Sequence, residues 1–214
     1  MQVMAEDVNI RIVKMDVAGT TWPNWYLVTC LQTGESALID FPVKTEVALN
    51  QTKNTILKYV LLTHNHNDYL PALGKLKSKM GTSACGHPDD FDKYLIPLDI
   101  RLKNGDMLTL GNLEIKVIHT PGHTNGSLCF LIGKYLFSGD TLLLGRPGYT
   151  ASPSDFEQIM KSLVERVFIL PEETVVYPGH GNSTLISKEK NDSRLFLTQT
   201  HSAGLCGDVL WVKN

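Results

Sequence analysis

Two histidines and an aspartate at alternate positions, His64, His66 and Asp68, close an apolar run that begins at Tyr59. The run, Tyr59-Val60-Leu61-Leu62-Thr63, has the length and aliphatic content of a buried strand. Side chains two apart leave an extended backbone on one side, so the three groups can converge on one point. Imidazole nitrogen suits zinc or iron, carboxylate oxygen completes a mixed shell, and both groups are deprotonated near neutral pH.

Three more metal-type side chains follow strand-like runs, each in a glycine-containing turn. Leu113 to Ile118 leads into His119-Thr120-Pro121-Gly122-His123-Thr124, Tyr135 to Phe137 into Ser138-Gly139-Asp140-Thr141, and Val175 to Tyr177 into Pro178-Gly179-His180-Gly181. Taken singly, each is ordinary turn composition, and Asp68 has a second use as the cap of a helix starting near Pro71. Five of the seven histidines nevertheless fall at such strand ends, and four of them, His64, His66, His123 and His180, are the ligand candidates. Loops at one rim of a strand scaffold are where sites are built, because the sheet fixes position while glycine lets the backbone turn sharply.

The elements that must position these loops are legible as alternation and helical spacing. Strands are expected over residues 8–16, 26–31 and 37–40 as an antiparallel meander, then over 59–63, 82–86, 127–132, 135–137 and 173–177. Asp106 to Leu110 and Leu113 to Ile118 read as a hairpin about Gly111-Asn112. Helices are expected over 44–53 with Val47 and Leu49 inward, from Pro71 with Leu73, Leu76 and Met80 in register, and briefly after Pro88. A further helix, capped by Ser154 or Asp155, runs to about Val167 with Phe156, Ile159, Met160 and Leu163 on its inner face. Residues 187–197 are enough for one more helix. The tail from Gly204 reads as an edge strand or as a segment packed between the subunits of a homodimer.

Composition narrows the function classes. A chain of 214 residues with 43% hydrophobic content can bury its core as a single domain over residues 1–214. A net charge of −2 supplies no basic field for nucleic acid or anionic lipid, which leaves a small molecule as the expected substrate. Cys30, Cys85, Cys129 and Cys206 form no C-x-x-C pair and read as reduced thiols, three of them packed as small hydrophobes. With neither a signal-like N-terminus nor a bilayer-spanning run, the expectation is a soluble cytoplasmic protein.

The motifs His64-x-His66-x-Asp68, Thr120-Pro121-Gly122-His123-Thr124, Ser138-Gly139-Asp140 and Pro178-Gly179-His180-Gly181 resemble, in order and spacing, those of the metallo-β-lactamase-fold hydrolase superfamily, and most of all its glyoxalase II-like branch. The resemblance runs from about Ala37 to His180. It implies an α/β (α+β) fold, a four-layer αββα sandwich of two mixed β-sheets with the metal site along one edge. Carried across, it gives His64, His66 and His123 to a first metal and Asp68 and His180 to a second, with Asp140 bridging. Zinc, as one or two ions, is the implied cofactor, with iron or manganese as alternatives.

The family pattern has a further histidine after Asp68, where this chain has Tyr69, a poorer ligand than imidazole. A two-metal site completed by water, a Tyr69 phenolate ligand and a one-metal site all stay open. The implied activity is hydrolysis of a thioester or related ester by metal-activated hydroxide, with Asp68 orienting the nucleophile and passing a proton to the leaving group. Arg146 lies in the loop after Asp140, placed either to meet a substrate carboxylate or to form a surface ion pair. Asp40, at the end of its strand, reads as a turn or loop-bracing carboxylate. Two alternatives remain: a one-iron persulfide dioxygenase using His64, His123 and Asp140, and a metal-binding relative without catalysis. The resemblance also implies that the long glyoxalase II enzymes carry an extra helical domain for glutathione; with room for one helix in the residues after His180, glutathione recognition is not expected here.

Overall fold

Side chains along each central strand divide between two different hydrophobic cores, because both faces of each sheet are covered. On the strand Trp25–Cys30, Tyr26 and Val28 enter one core while Trp25 and Leu27 enter another. On Leu128–Ile132, Leu128, Phe130 and Ile132 share the first core and Cys129 enters a third. Three cores separate four layers, the αββα order of the sequence expectation. The computed structural model describes residues 2–15, 23–41, 45–65, 70–92, 98–201 and 204–212. His66, Asp68 and Tyr69 lie outside the described residues.

The first sheet takes β1 (Gln2–Glu6), β2 (Ile10–Met15), β3 (Trp25–Cys30), β4 (Glu35–Ile39), β5 (Ile56–Leu61), β6 (Ser83–Gly86) and β7 (Ile100–Arg101) in sequential order. Neighbours are antiparallel up to β4 and parallel beyond it. The change comes where helices α1 (Thr45–Thr52) and α2 (Leu70–Met80) replace tight turns, since a parallel pair needs a long crossover. A four-residue helix α3 (Pro88–Phe91) follows β6. Leu73, Leu76, Ala48 and Phe91 close the outer core of this sheet. On α1 it is Ala48 that is fully buried, with Val47 and Leu49 only partly covered beside it.

The second sheet contains β8 (Met107–Leu110), β9 (Leu113–His119), β10 (Leu128–Ile132) and β11 (Tyr135–Gly139). A small hairpin, β12 (Leu142–Leu143) and β13 (Arg146–Pro147), then leads to α4 (Pro153–Ser162), β14 (Val175–Pro178), β15 (Thr184–Leu185) and α5 (Ile186–Leu197). The sheet order is β15-β14-β11-β10-β9-β8. Phe156, Ile159, Leu163, Ile186 and Phe196 cover its outer face. Among the described residues no helix is long and apolar enough to cross a membrane.

Several local expectations are corrected. β1 was not foreseen; its five residues alternate weakly because it is an edge strand with little burial. The cap of α4 is Ser152 rather than Ser154 or Asp155, its Oγ accepting the Asp155 N–H at 3.2 Å, because Pro153 fits only the first helical turn. Its continuation, Leu163–Val167, is a π-helical turn in which the Phe168 N–H reaches the Leu163 carbonyl at 2.7 Å. Five-residue periodicity lets Leu163 and Phe168 both face the core. The described part of the tail adds no strand to a main sheet and packs instead on its own chain. Gly207 bridges Thr150, Trp211 is 1% exposed, and the Trp211 Nε1–H donates to the buried Glu189 carboxylate at 3.0 Å.

Candidate metal centre

Sheet order alone sends three ligand loops to one rim. β9 is antiparallel to β10 and β10 to β11, so β9 and β11 run the same way, and β14 is parallel to β11. The loops bearing His123, Asp140 and His180 follow these three strands and leave the sheet on the same side. His64 arrives from β5 in the other sheet, where the Leu128 N–H donates to the Thr63 carbonyl at 2.7 Å and ties the two rims together.

The three imidazoles converge on one carboxylate oxygen. Asp140 Oδ2 lies 4.0 Å from His64 Nε2, 3.8 Å from His123 Nε2 and 3.4 Å from His180 Nε2. The His64 and His123 rings stand edge to face, 4.9 Å apart. His64, His123 and Asp140 offer ligand atoms all within 4.8 Å of one another. Among the described ligand residues the site is most exposed at His180. The His64 side chain is 3% exposed and that of His180 is 37%.

Hydrogen bonds behind the rings decide which nitrogen faces inward. His123 Nδ1 lies 2.8 Å from the Tyr149 carbonyl, which can only accept, so Nδ1 carries the proton and Nε2 presents its lone pair. His64 Nδ1 lies 2.8 Å from Thr63 Oγ1, whose own hydrogen goes to Asp40 Oδ2 at 2.8 Å. Asp40 is braced further by the Thr63 N–H on Oδ1 at 2.9 Å, and its backbone holds φ at 53°, a region aspartate tolerates. Burial pushes the Asp40 carboxyl up to about 7, the two Thr63 bonds working against that rise and Asp140 adding to it.

Glycines let this frame close around Asp140. Gly139 has φ of 49° and sits against Thr63, while a Cβ on Gly179 would overlap Asp140 Oδ1. Gly179→Ala is therefore expected to displace the carboxylate, lower the metal bound per chain and destabilise the fold by about 1–3 kcal/mol. Elemental analysis and urea unfolding check it; parent values in both would mean the methyl group has room. The His180 loop is held from the other sheet, the Asn24 side chain donating to the Pro178 and Gly181 carbonyls at 2.9 and 2.8 Å and the Tyr26 hydroxyl to Pro178 at 2.7 Å.

Of the residues singled out by sequence, His64, His123, Asp140 and His180 meet here. Arg146 pairs at the surface with Asp208 of the tail. The tail also fixes the loop that supplies the Tyr149 carbonyl, through the Trp211 N–H to Gly145 at 2.9 Å and the Thr150–Gly207 bridge. His87 caps α3 and stacks on His119 at 4.1 Å, and His201 stacks on Phe196 at 3.9 Å, so these three are engaged away from the cluster. Asn24 carried no sequence signal, since it precedes a strand as any turn residue does.

The donor set fits a divalent transition metal: inward lone pairs on two tautomer-fixed imidazoles, a third imidazole, and a carboxylate between them. Comparison with known proteins agrees. A family model described as the metallo-beta-lactamase superfamily matches residues 23–180. A hydroxyacylglutathione hydrolase of Chelativorans sp. is 36% identical over 156 residues, which cover 70% of this chain and 58% of that enzyme. Among solved structures, ETHE1 from Myxococcus xanthus aligns with a TM-score of 0.73 at 29% identity over 84% of this chain and 81% of its own. TTHA1623, solved in a di-iron-bound form, aligns with a TM-score of 0.66 at 30% identity over 83% of this chain and 96% of its own. One family model takes in all four loops that meet at Asp140, and the fold that brings them there is shared with these structures, so the chain belongs to the metallo-β-lactamase superfamily.

Proposed function

We propose that the protein is a metal-dependent hydrolase acting on a small thioester or related ester, in the manner of the hydroxyacylglutathione hydrolases it resembles. The observation that carries this reading is the convergence of three Nε2 atoms on Asp140 Oδ2 at a rim that opens beside His180. A divalent metal, when held by these residues, would lower the pKa of a bound water from 15.7 to about 7 and would polarise the carbonyl under attack. The chain's own part is to keep His64 and His123 in the ligating tautomer and to leave the His180 side accessible to substrate. In the reaction, water oxygen bonds to the acyl carbon, the carbon–sulfur bond breaks with its electron pair on sulfur, and a proton passes to the thiolate. Asp68, outside the described residues, takes the role of orienting the water and relaying that proton. On this reading His66 would help hold a first metal, and Asp68 and His180 a second.

A second reading is favoured by one feature: His64, His123 and Asp140 form a two-histidine, one-carboxylate group, the set used by mononuclear iron(II) oxygenases. On that reading a thiol persulfide is oxidised by dioxygen. Elemental analysis of protein purified without added metal, a thioester panel and oxygen uptake with glutathione persulfide separate the two. Thiol release from a thioester without oxygen uptake is the expected result. Oxygen uptake by an iron-loaded protein that leaves thioesters intact would replace hydrolysis with oxidation. If the parent binds fewer than two metals per chain, Tyr69→His, restoring the family's usual imidazole, is expected to raise that ratio towards two, and a ratio that stays below two would mean Tyr69 is not what limits the second position.

A further inference from the structure

Asp90, on α3, reaches across the rim to the loops of two different sheets. Its side chain is not among the six motif residues, and it is 6% exposed. Oδ2 accepts the Asn65 N–H at 3.0 Å and the Thr124 hydroxyl at 2.7 Å, and Oδ1 accepts the Gly126 N–H at 2.9 Å. Asn65 directly follows His64, and Thr124 directly follows His123. A Cβ on Gly126 would collide with the Asp90 carboxyl, so glycine at this position is what lets the third donor approach. Thr124 Oγ1, having given its hydrogen to Asp90, accepts from Ser127 Oγ at 2.6 Å, and Ser127 Oγ accepts the Thr124 N–H at 3.0 Å.

We propose that Asp90 is a positioning residue for the metal centre: one carboxylate sets the separation of the His64 and His123 loops, and with it the affinity and geometry of the site. The inference rests on the metal-centre reading above. Among the described residues three donors and no acceptor face the two carboxyl oxygens, a pattern that a carboxylate accepts in full and an amide does not. An amide in its place must turn its NH2 towards at least one of them, and the best orientation keeps Asn65 and Thr124 while repelling Gly126. Partners behind a ligand typically change metal affinity about 10–100-fold when removed.

The test uses cobalt(II), whose visible absorption reports coordination geometry, with affinity measured by chelator competition and the Tm of the metal-free protein recorded alongside. The variants are Asp90→Asn, Asp90→Ala and Ile132→Ala, the last a 2%-exposed core residue at the far end of β10. The expected result is an affinity weakened more than threefold and a changed spectrum in Asp90→Asn. Ile132→Ala should lower Tm yet keep cobalt affinity within threefold of the parent. Asp90→Ala should go further than the amide, and if it does not fold the asparagine variant decides alone. Parent-like affinity and spectrum in Asp90→Asn, or an equal affinity loss in Ile132→Ala, would overturn the proposal. A parent protein that takes up no cobalt would instead remove the metal centre itself, and this inference with it.

Discussion

His123→Ala is expected to strip the protein of metal and abolish turnover, while His201→Ala, a change of the same side chain elsewhere, leaves both intact. His123 brings Nε2 to 3.8 Å from Asp140 Oδ2, and its Nδ1 is anchored on the Tyr149 carbonyl at 2.8 Å. Alanine removes an inward lone pair and leaves that carbonyl without its donor. The neighbouring ligand groups stay where the sheets put them, so lost metal is the direct consequence rather than unfolding. His201 stacks on Phe196 and hydrogen-bonds the Phe196 carbonyl at 2.7 Å, contacts that lie outside the cluster on Asp140. Metal per chain by elemental analysis, together with thioester turnover, checks the pair. Unchanged metal and activity in His123→Ala would take that residue out of the site.

The contrast shows which information the chain carries locally. His123 and His201 are the same residue type, and only the strand-then-glycine-turn context around His123 set it apart. Such context was readable because the central strands are covered on both faces and appear as unbroken apolar runs, each ending where a polar turn begins. The layer order followed from the same runs and from the family resemblance. Lost to sequence reading were features decided by distant partners. β1 exists because β2 offers an open edge, and Asn24 holds the His180 loop from more than 150 positions away in the chain. The tail was ambiguous because Val209 and Trp211 become core residues only when α5 and the loop about Gly145 supply a surface. Asp40 was readable as a bracing carboxylate from its place at a strand end, but nothing local disclosed what it braces.

What it braces is a hydrogen-bond chain whose direction is set by the ionised carboxylate, and at a pH above about 7 Asp40→Asn is expected to reverse it. The variant keeps the size of the side chain, and asparagine tolerates the φ of 53° as well as aspartate does. The Thr63 N–H can only donate, so the amide oxygen must stay on it and the NH2 must face Thr63 Oγ1. Thr63 then turns its hydrogen to His64 Nδ1, which must accept, and the imidazole proton moves to Nε2, the atom that faces Asp140. Metal binding would then break one of these bonds, an effect of about 10–100-fold in affinity on the usual scale for such partners. Thr63→Val, which removes the relay without reversing it, should be milder.

The metal-free proteins give an independent check. Asp40 titrates near 7 when folded against 3.8 in the unfolded chain, so between those values the folded form holds a proton that the unfolded form has released. Its contribution to stability is therefore present at low pH and falls as pH rises through that window. Asparagine, which does not titrate, should flatten the slope. Urea unfolding of parent and Asp40→Asn at a series of pH values from about 4 to 8, alongside chelator competition, tests both halves of the argument. Parent-like metal affinity in the variant would mean that Thr63 does not set the His64 tautomer, and an unchanged pH slope would mean that the buried carboxyl does not hold its proton.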